Sequence, residues 1–196
     1  MKKAIEKDGI AYYSANASDA LMSLLRETQT VKTPIKMASL FEELGKQYAA
    51  LIDRDVAFPA FSSEYVYAAE KGFLFVFTVI YSSMRLLCGK LNVAASSQGE
   101  TVALALHGAL PESFGYYSGA ERIAQAMNLS EEEINALLCV ATSSGFSVSF
   151  EFAEKELFVT FSLLRFRSMP TVAYSCASDS VAETVKNALR MLLREK

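Results

Sequence analysis

Val148-Ser149-Phe150-Glu151-Phe152-Ala153-Glu154-Lys155-Glu156-Leu157-Phe158-Val159-Thr160-Phe161-Ser162-Leu163 is the stretch whose reading decides the fold. Val148, Phe150 and Phe152 alternate with polar residues up to Ala153-Glu154-Lys155-Glu156, and Leu157, Val159, Phe161 and Leu163 alternate beyond it. A period of two places every second side chain on one face, so the pattern predicts an antiparallel hairpin with one buried face. Upstream the pattern recurs: Leu91, Val93 and Ala95 alternate, Ser96 to Glu100 turn the chain, and Val102, Leu104 and Leu106 alternate again. A second half-buried hairpin follows.

Helical spacing surrounds the hairpins. From Ser18 to Thr30, Ala20, Leu21, Leu24 and Leu25 form an amphipathic stripe with Ser18 or Asp19 as cap. Thr33-Pro34-Ile35-Lys36 reads as extended chain, because proline pushes its predecessor out of the α region. A helix is expected from Ala38 to Leu51, then a turn at Asp53 to Asp55, a short strand at Val56 to Phe58, a loop at Pro59 to Ser63 and a long apolar helix from near Glu64. Between the hairpins lie a glycine- and tyrosine-rich loop, a short helix near Ala120 to Met127, and a helix from Glu131 to Ser143 opened by a Ser130/Glu133 capping box. A C-terminal helix is expected from Ser180, capped by Ser180 and Glu183, with Val181, Val185, Ala188, Leu189 and Leu192 on one face.

Composition narrows the function classes. The 196 residues are 52% hydrophobic, ample for a buried core. A net charge of -3 offers no basic footprint for a phosphate backbone, so no nucleic-acid partner is expected. Three cysteines, Cys88, Cys139 and Cys176, are odd in number and widely spaced, which indicates neither a disulfide framework nor a zinc site and suits a reducing, cytoplasmic setting. Met1 to Gly9 is charged and does not read as a signal peptide. Phe73 to Cys88 is the one candidate membrane segment, but with Thr78, Ser82, Ser83 and Arg85 inside it reads as a core helix, and no membrane partner is expected. A positive mean hydropathy of +0.20 raises the expectation of a self-associating chain, a homodimer, with the Ser18–Thr30 or the C-terminal helix burying its stripe against another copy.

The order of these elements, from Thr33 to about Phe166, resembles the ATPase domain of sensor histidine kinases. Thr33 to Leu44 looks like that family's first strand and helix, and Ser18 to Thr30 like the end of its dimerisation helix. The resemblance implies an α+β fold, a two-layer α/β sandwich with a mixed, mostly antiparallel sheet covered by helices on one face. It divides the chain into an N-terminal helical segment (1–32), an ATPase-like domain (33–168) and a C-terminal extension (169–196).

Carried over residue by residue, the resemblance implies a degenerate nucleotide site. Ser82 stands where the family has a magnesium-binding asparagine, and a serine is a shorter and poorer ligand. Arg85 matches a basic residue that touches phosphate. Leu106 or His107 stands where an aspartate accepts a bond from adenine, and of the following glycines only Gly108 remains. Ser130 with Glu131, Glu132 and Glu133 replaces the glycine-rich turn that aims N–H groups at the triphosphate, and its carboxylates suit a helix start but repel an anion.

His107, the only histidine, follows a strand rather than lying on the dimerisation helix, so no phosphoacceptor is present, and it reads as a surface or loop residue. Phe114, Tyr116 and Tyr117, in the glycine-flanked loop replacing the nucleotide lid, are the candidates for a different ligand pocket, or for loop packing. The expectation is a nucleotide-free regulatory or scaffolding protein of bacterial two-component signalling, without catalytic residues, metal or cofactor. The alternative is a divergent domain that still binds ATP with magnesium.

Overall fold

A computed structural model describes residues 31–52, 58, 64–115, 119–167 and 178–192 of the chain. The expected Ser18–Thr30 helix and the Val56–Phe58 strand, apart from Phe58 itself, lie outside the described residues. The elements run β1 (Thr33–Lys36), α1 (Met37–Ile52), β2 (Tyr65–Ala68), α2 (Glu70–Cys88), β3 (Asn92–Gln98), β4 (Thr101–Ala109), α3 (Gly119–Met127), α4 (Glu131–Ser144), β5 (Phe146–Ala153), β6 (Glu156–Phe166) and α5 (Ser178–Leu192).

The six strands form one sheet in the order β1-β2-β6-β4-β3, with β5 also paired to β6, and every described pairing is antiparallel. The two expected hairpins meet where β4 pairs with β6, and β3 forms one edge. β5 runs against β6 from Phe146 opposite Leu163 to Ala153 opposite Glu156, and β4 flanks β6 from Thr101 opposite Leu164 to Ala109 opposite Glu156. The strand period sorts the sides: Val102, Leu104, Leu106, Leu157, Val159, Phe161 and Leu163 are buried on one face, while Ala103, Ala105, His107, Phe158, Thr160 and Ser162 sit half-exposed on the other.

Helix α2 fills the covered face. Every residue from Gly72 to Met84 is buried, because the sheet, α3, α4 and α5 enclose it. A helix that is apolar all round must be covered all round, and here protein does the covering. It is long and apolar enough to cross a membrane, but it is the core of this fold. Its aromatic side chains lock the layers together: Phe77 meets Phe41 of α1 edge-on at 5.1 Å and Phe161 of β6 at 5.5 Å, and Phe73 meets Phe146 of β5 at 5.4 Å.

Three boundaries depart from the sequence expectations. A strand, β2, precedes α2, which begins at Glu70 rather than near Glu64; Tyr65 and Tyr67 face out while Val66 and Ala68 are fully buried, a four-residue alternation hidden beside a long apolar run. The first hairpin turns on Gly99 and Glu100 alone, because Gly99 takes φ 59° and so closes a two-residue turn, leaving Ser96, Ser97 and Gln98 in β3. α5 starts at Ser178 rather than Ser180, so Ser180 lies inside the first turn, where its carbonyl accepts from the Thr184 hydroxyl at 2.8 Å. Ser178 instead donates to Glu43 of α1 at 2.7 Å, and the apolar stripe Val181, Val185 and Ala188 is buried within its own chain.

Candidate functional site

Ser82 sits on α2 and turns toward α1, not toward open space. It is 8% exposed, and its hydroxyl lies 3.0 Å from that of Tyr48, which also donates to the Thr78 carbonyl at 3.3 Å. Tyr48 is itself buried, with Phe58 and Tyr81 against its ring at 6.1 and 5.4 Å. Desolvation holds its phenol well above the ordinary tyrosine value, against the smaller pull of the Ser82 and Thr78 hydrogen bonds. Burial raises Tyr81 in the same way, offset in part by the Arg85 charge.

One turn along, Arg85 bends its guanidinium onto the carbonyl of Gly89, while the Gly89 N–H returns to the Arg85 carbonyl at 3.0 Å. A cation at the C-terminal end of α2 also complements the helix dipole. Beyond that end, the chain packs on Gly108. A β-carbon there would stand 2.7 Å from Leu91 Cδ2 and 2.8 Å from Cys88 Cβ, so the glycine is required by the close approach of β4 to the end of α2. Cys88, half-buried in this contact, has its thiol pushed up by burial.

Leu106 and His107 point to opposite sides of the sheet. Leu106 is fully buried in the core. His107 lies on the open face, its ring stacked on Phe158 at 4.3 Å and its Nε2 3.1 Å from a Glu156 carboxylate oxygen, near enough for an ion pair but without hydrogen-bond alignment. Ser130 and Glu133 make the expected capping box at the start of α4: the Glu133 N–H donates to Ser130 Oγ at 3.2 Å and the Ser130 N–H to Glu133 Oε2 at 2.8 Å. Glu131 and Glu132 are exposed beside it. Phe114 stacks on Phe152 at 6.3 Å, and Arg122 lies over the same Phe152 ring at 4.2 Å. Tyr116 and Tyr117 lie outside the described residues.

Of the expected positions, Arg85 and Gly108 come together at the end of α2, and the others lie apart. Ser82 belongs to the α1–α2 contact, His107 to the far side of the sheet, and Glu133 to a helix cap. Among the described residues, no group of three histidine, cysteine or carboxylate side chains gathers as a metal site. The sequence reading missed a cavity of about 230 Å³ between the ends of α2, α3 and α5, lined by Ser83, Leu87, Gln125, Met127, Asn128 and Leu192. The one local sign of it is Asn128, which takes φ 53° to turn the chain out of α3.

No protein-family model matches the chain, and no curated protein does. Solved structures do. The histidine kinase AdeS of Acinetobacter baumannii superposes with a TM-score of 0.56 at 11% identity, over 83% of this chain and 82% of that one. The fold is that of a histidine-kinase ATPase domain. The catalytic domain of histidine kinase ThkA also matches, at 11% identity and a TM-score of 0.46, over 69% of this chain and 98% of that one. At 11% identity the likeness to AdeS carries the fold and nothing of the chemistry.

Proposed function

We propose that this protein is a regulatory or scaffolding protein that uses a histidine-kinase ATPase fold for protein contacts, without nucleotide, in the cytoplasmic signal transduction of a bacterium. The observation that carries this reading is the Ser82–Tyr48 contact. At the position where the resemblance calls for a magnesium ligand, a short hydroxyl is already engaged by a buried phenol at 3.0 Å. The other positions support it: Leu106 offers adenine no acceptor, Arg85 is turned onto Gly89, and the N–H groups of Ser130 and Glu133 are engaged in a cap at the start of α4. The residues present do not fit a magnesium triphosphate. The partner in this reading is another protein, with a second copy of the chain as the first candidate. α5 buries its stripe within its own chain, so it is not the surface for such a contact.

The test is isothermal titration with ATP and magnesium at millimolar ligand, beside thermal shift on the same sample. No saturable signal is expected, because losses of about 1–3 kcal/mol at each of three positions move a micromolar site beyond millimolar. Saturable binding with a dissociation constant below about 100 μM overturns the reading in favour of a divergent ATP-binding domain.

A further inference from the structure

We propose that the free edge of β3 is a self-pairing surface, on which a second copy of this chain docks strand to strand about a two-fold axis at Ala95. The inference names a surface for the self-association proposed above, and holds whether or not nucleotide binds.

Sheet edges are templates for further pairing unless they are short, charged, broken by proline or covered. The β1 edge is short, charged and broken by proline, with four residues that include Pro34 and Lys36, and β5 carries Glu151. β3 has no such guard. Asn92-Val93-Ala94-Ala95-Ser96-Ser97-Gln98 holds seven residues with no charge and no proline, pairs with β4 in unbroken register, and is exposed at every position except a half-buried Val93. Among the described residues no strand pairs with its outer side.

The backbone groups are set for a partner. In a two-residue hairpin the residues flanking the turn exchange both of their hydrogen bonds, so Gln98, Ser96, Ala94 and Asn92 bond inward to β4. Val93, Ala95 and Ser97 then present their N–H and C=O groups outward. An antiparallel second copy centred on Ala95 puts Ala95 opposite Ala95 and Val93 opposite Ser97, so each outward group meets an outward group. The Ser97 side chain is engaged by Glu64, which leaves its backbone free for this ladder.

The same register matches the side chains. Asn92 comes opposite Gln98, amide to amide, and Ala94 opposite Ser96. At each end Lys90 of one copy reaches the end where Glu100 of the other sits. Lys90 has no ion-pair partner among the described residues, and Glu100 already pairs with Arg167 at 3.5 Å, so the contact closes a basic-acidic-basic row. A one-residue slip would face outward groups with inward ones and lose the charge match, so self-complementarity selects this register.

The experiment is sedimentation velocity with light scattering on the full chain at about 200 μM, suited to an interface smaller than the standard size. Wild type is expected to be at least half dimeric. Ala95→Lys and Ala95→Glu place like charges face to face on the axis, and each is expected to be monomeric with an unchanged circular dichroism spectrum and thermal midpoint. An equimolar mixture of the two variants is expected to recover the dimer as a heterodimer, which a misfolded variant would not do. A monomeric wild type overturns the proposal, as does a mixture that stays monomeric. A dimer that survives both substitutions also overturns it and moves self-association to another surface, such as the Ser18–Thr30 segment.

Discussion

Tyr48→Phe isolates the contact on which the nucleotide-free reading turns. Phenylalanine keeps the ring against Phe58 and Tyr81 and deletes only the hydroxyl that joins Ser82 Oγ at 3.0 Å and the Thr78 carbonyl at 3.3 Å. The loss is one net hydrogen bond together with the desolvation of a buried serine left without that partner, about 1–3 kcal/mol in all. For a chain of this length that lowers the thermal midpoint by about 2–12 °C, read by circular dichroism at pH 7. Tyr48→Phe with Ser82→Ala removes both partners and should recover most of the loss, because two apolar groups leave no polar atom stranded. The pH arm has a definite sign. Burial makes the folded state hold the Tyr48 proton more tightly than the unfolded chain does, so its contribution is complete below the ordinary tyrosine value near pH ~10 and is lost as pH rises above it. Wild type should therefore lose stability more steeply than Tyr48→Phe above that pH, with Tyr81 leaving a residual decline in both. A Tyr48→Phe protein as stable as wild type at pH 7, or a double variant no better than the single one, refutes the reasoning and returns Ser82 to the list of available ligands.

Two further substitutions test whether other positions of the expected nucleotide site now serve the fold. Gly108→Ala should cost about 1–3 kcal/mol in urea unfolding, because its methyl group meets Cys88 Cβ at 2.8 Å, on a helix end that cannot yield as a flexible side chain does; Leu91→Ala in the same chain should relieve only part of the cost, and a neutral Gly108→Ala removes the packing explanation. Ser130→Ala should cost about 1 kcal/mol by leaving the Glu133 N–H of α4 without its side-chain acceptor, with the loss confined to stability and no change in ligand binding. A gain of phosphate binding in that variant would mean that the cap had been masking an anion site.

What was legible in the sequence follows from which patterns have a single reading. Alternation over Val148–Leu163 and Val102–Leu106 specifies half-buried strands, and both hairpins form, the first with a shorter turn than expected, as does the capping box at Ser130 and Glu133. β2 was missed because four residues, Tyr65 to Ala68, give only two alternations next to a thirteen-residue buried run that outweighs them. The start of α5 was misread because Ser180 and Glu183 satisfy the capping pattern locally, while the residue in use, Ser178, is chosen by a tertiary partner, Glu43, 135 positions away. The site positions were legible as letters but not as contacts. Nothing within α2 says that Ser82 meets Tyr48, since that pairing depends on how α1 lies on α2. The cavity at Ser83 and Leu192 was beyond reach for the same reason, being made where three helix ends meet.

Five of the positions that the resemblance assigns to nucleotide have a structural use here, and these uses are of unlike kinds. Ser82 answers a buried phenol, Arg85 closes a helix end, Gly108 admits the end of α2 to β4, Leu106 fills the core and Glu133 completes a cap. Restoring one family residue therefore does not merely add a ligand. Ser82→Asn, for example, must fit an amide into the space the Tyr48 hydroxyl occupies, and overpacking a buried contact of this kind costs about 1–3 kcal/mol before any magnesium is bound. Reversion at several positions compounds such costs, because Ser82, Arg85 and Gly108 all lie on or against the single helix whose burial holds the sheet and the other helices together. On the proposed reading, a triphosphate site would compete with the fold for Ser82, Arg85 and Gly108, and those three are engaged by the fold.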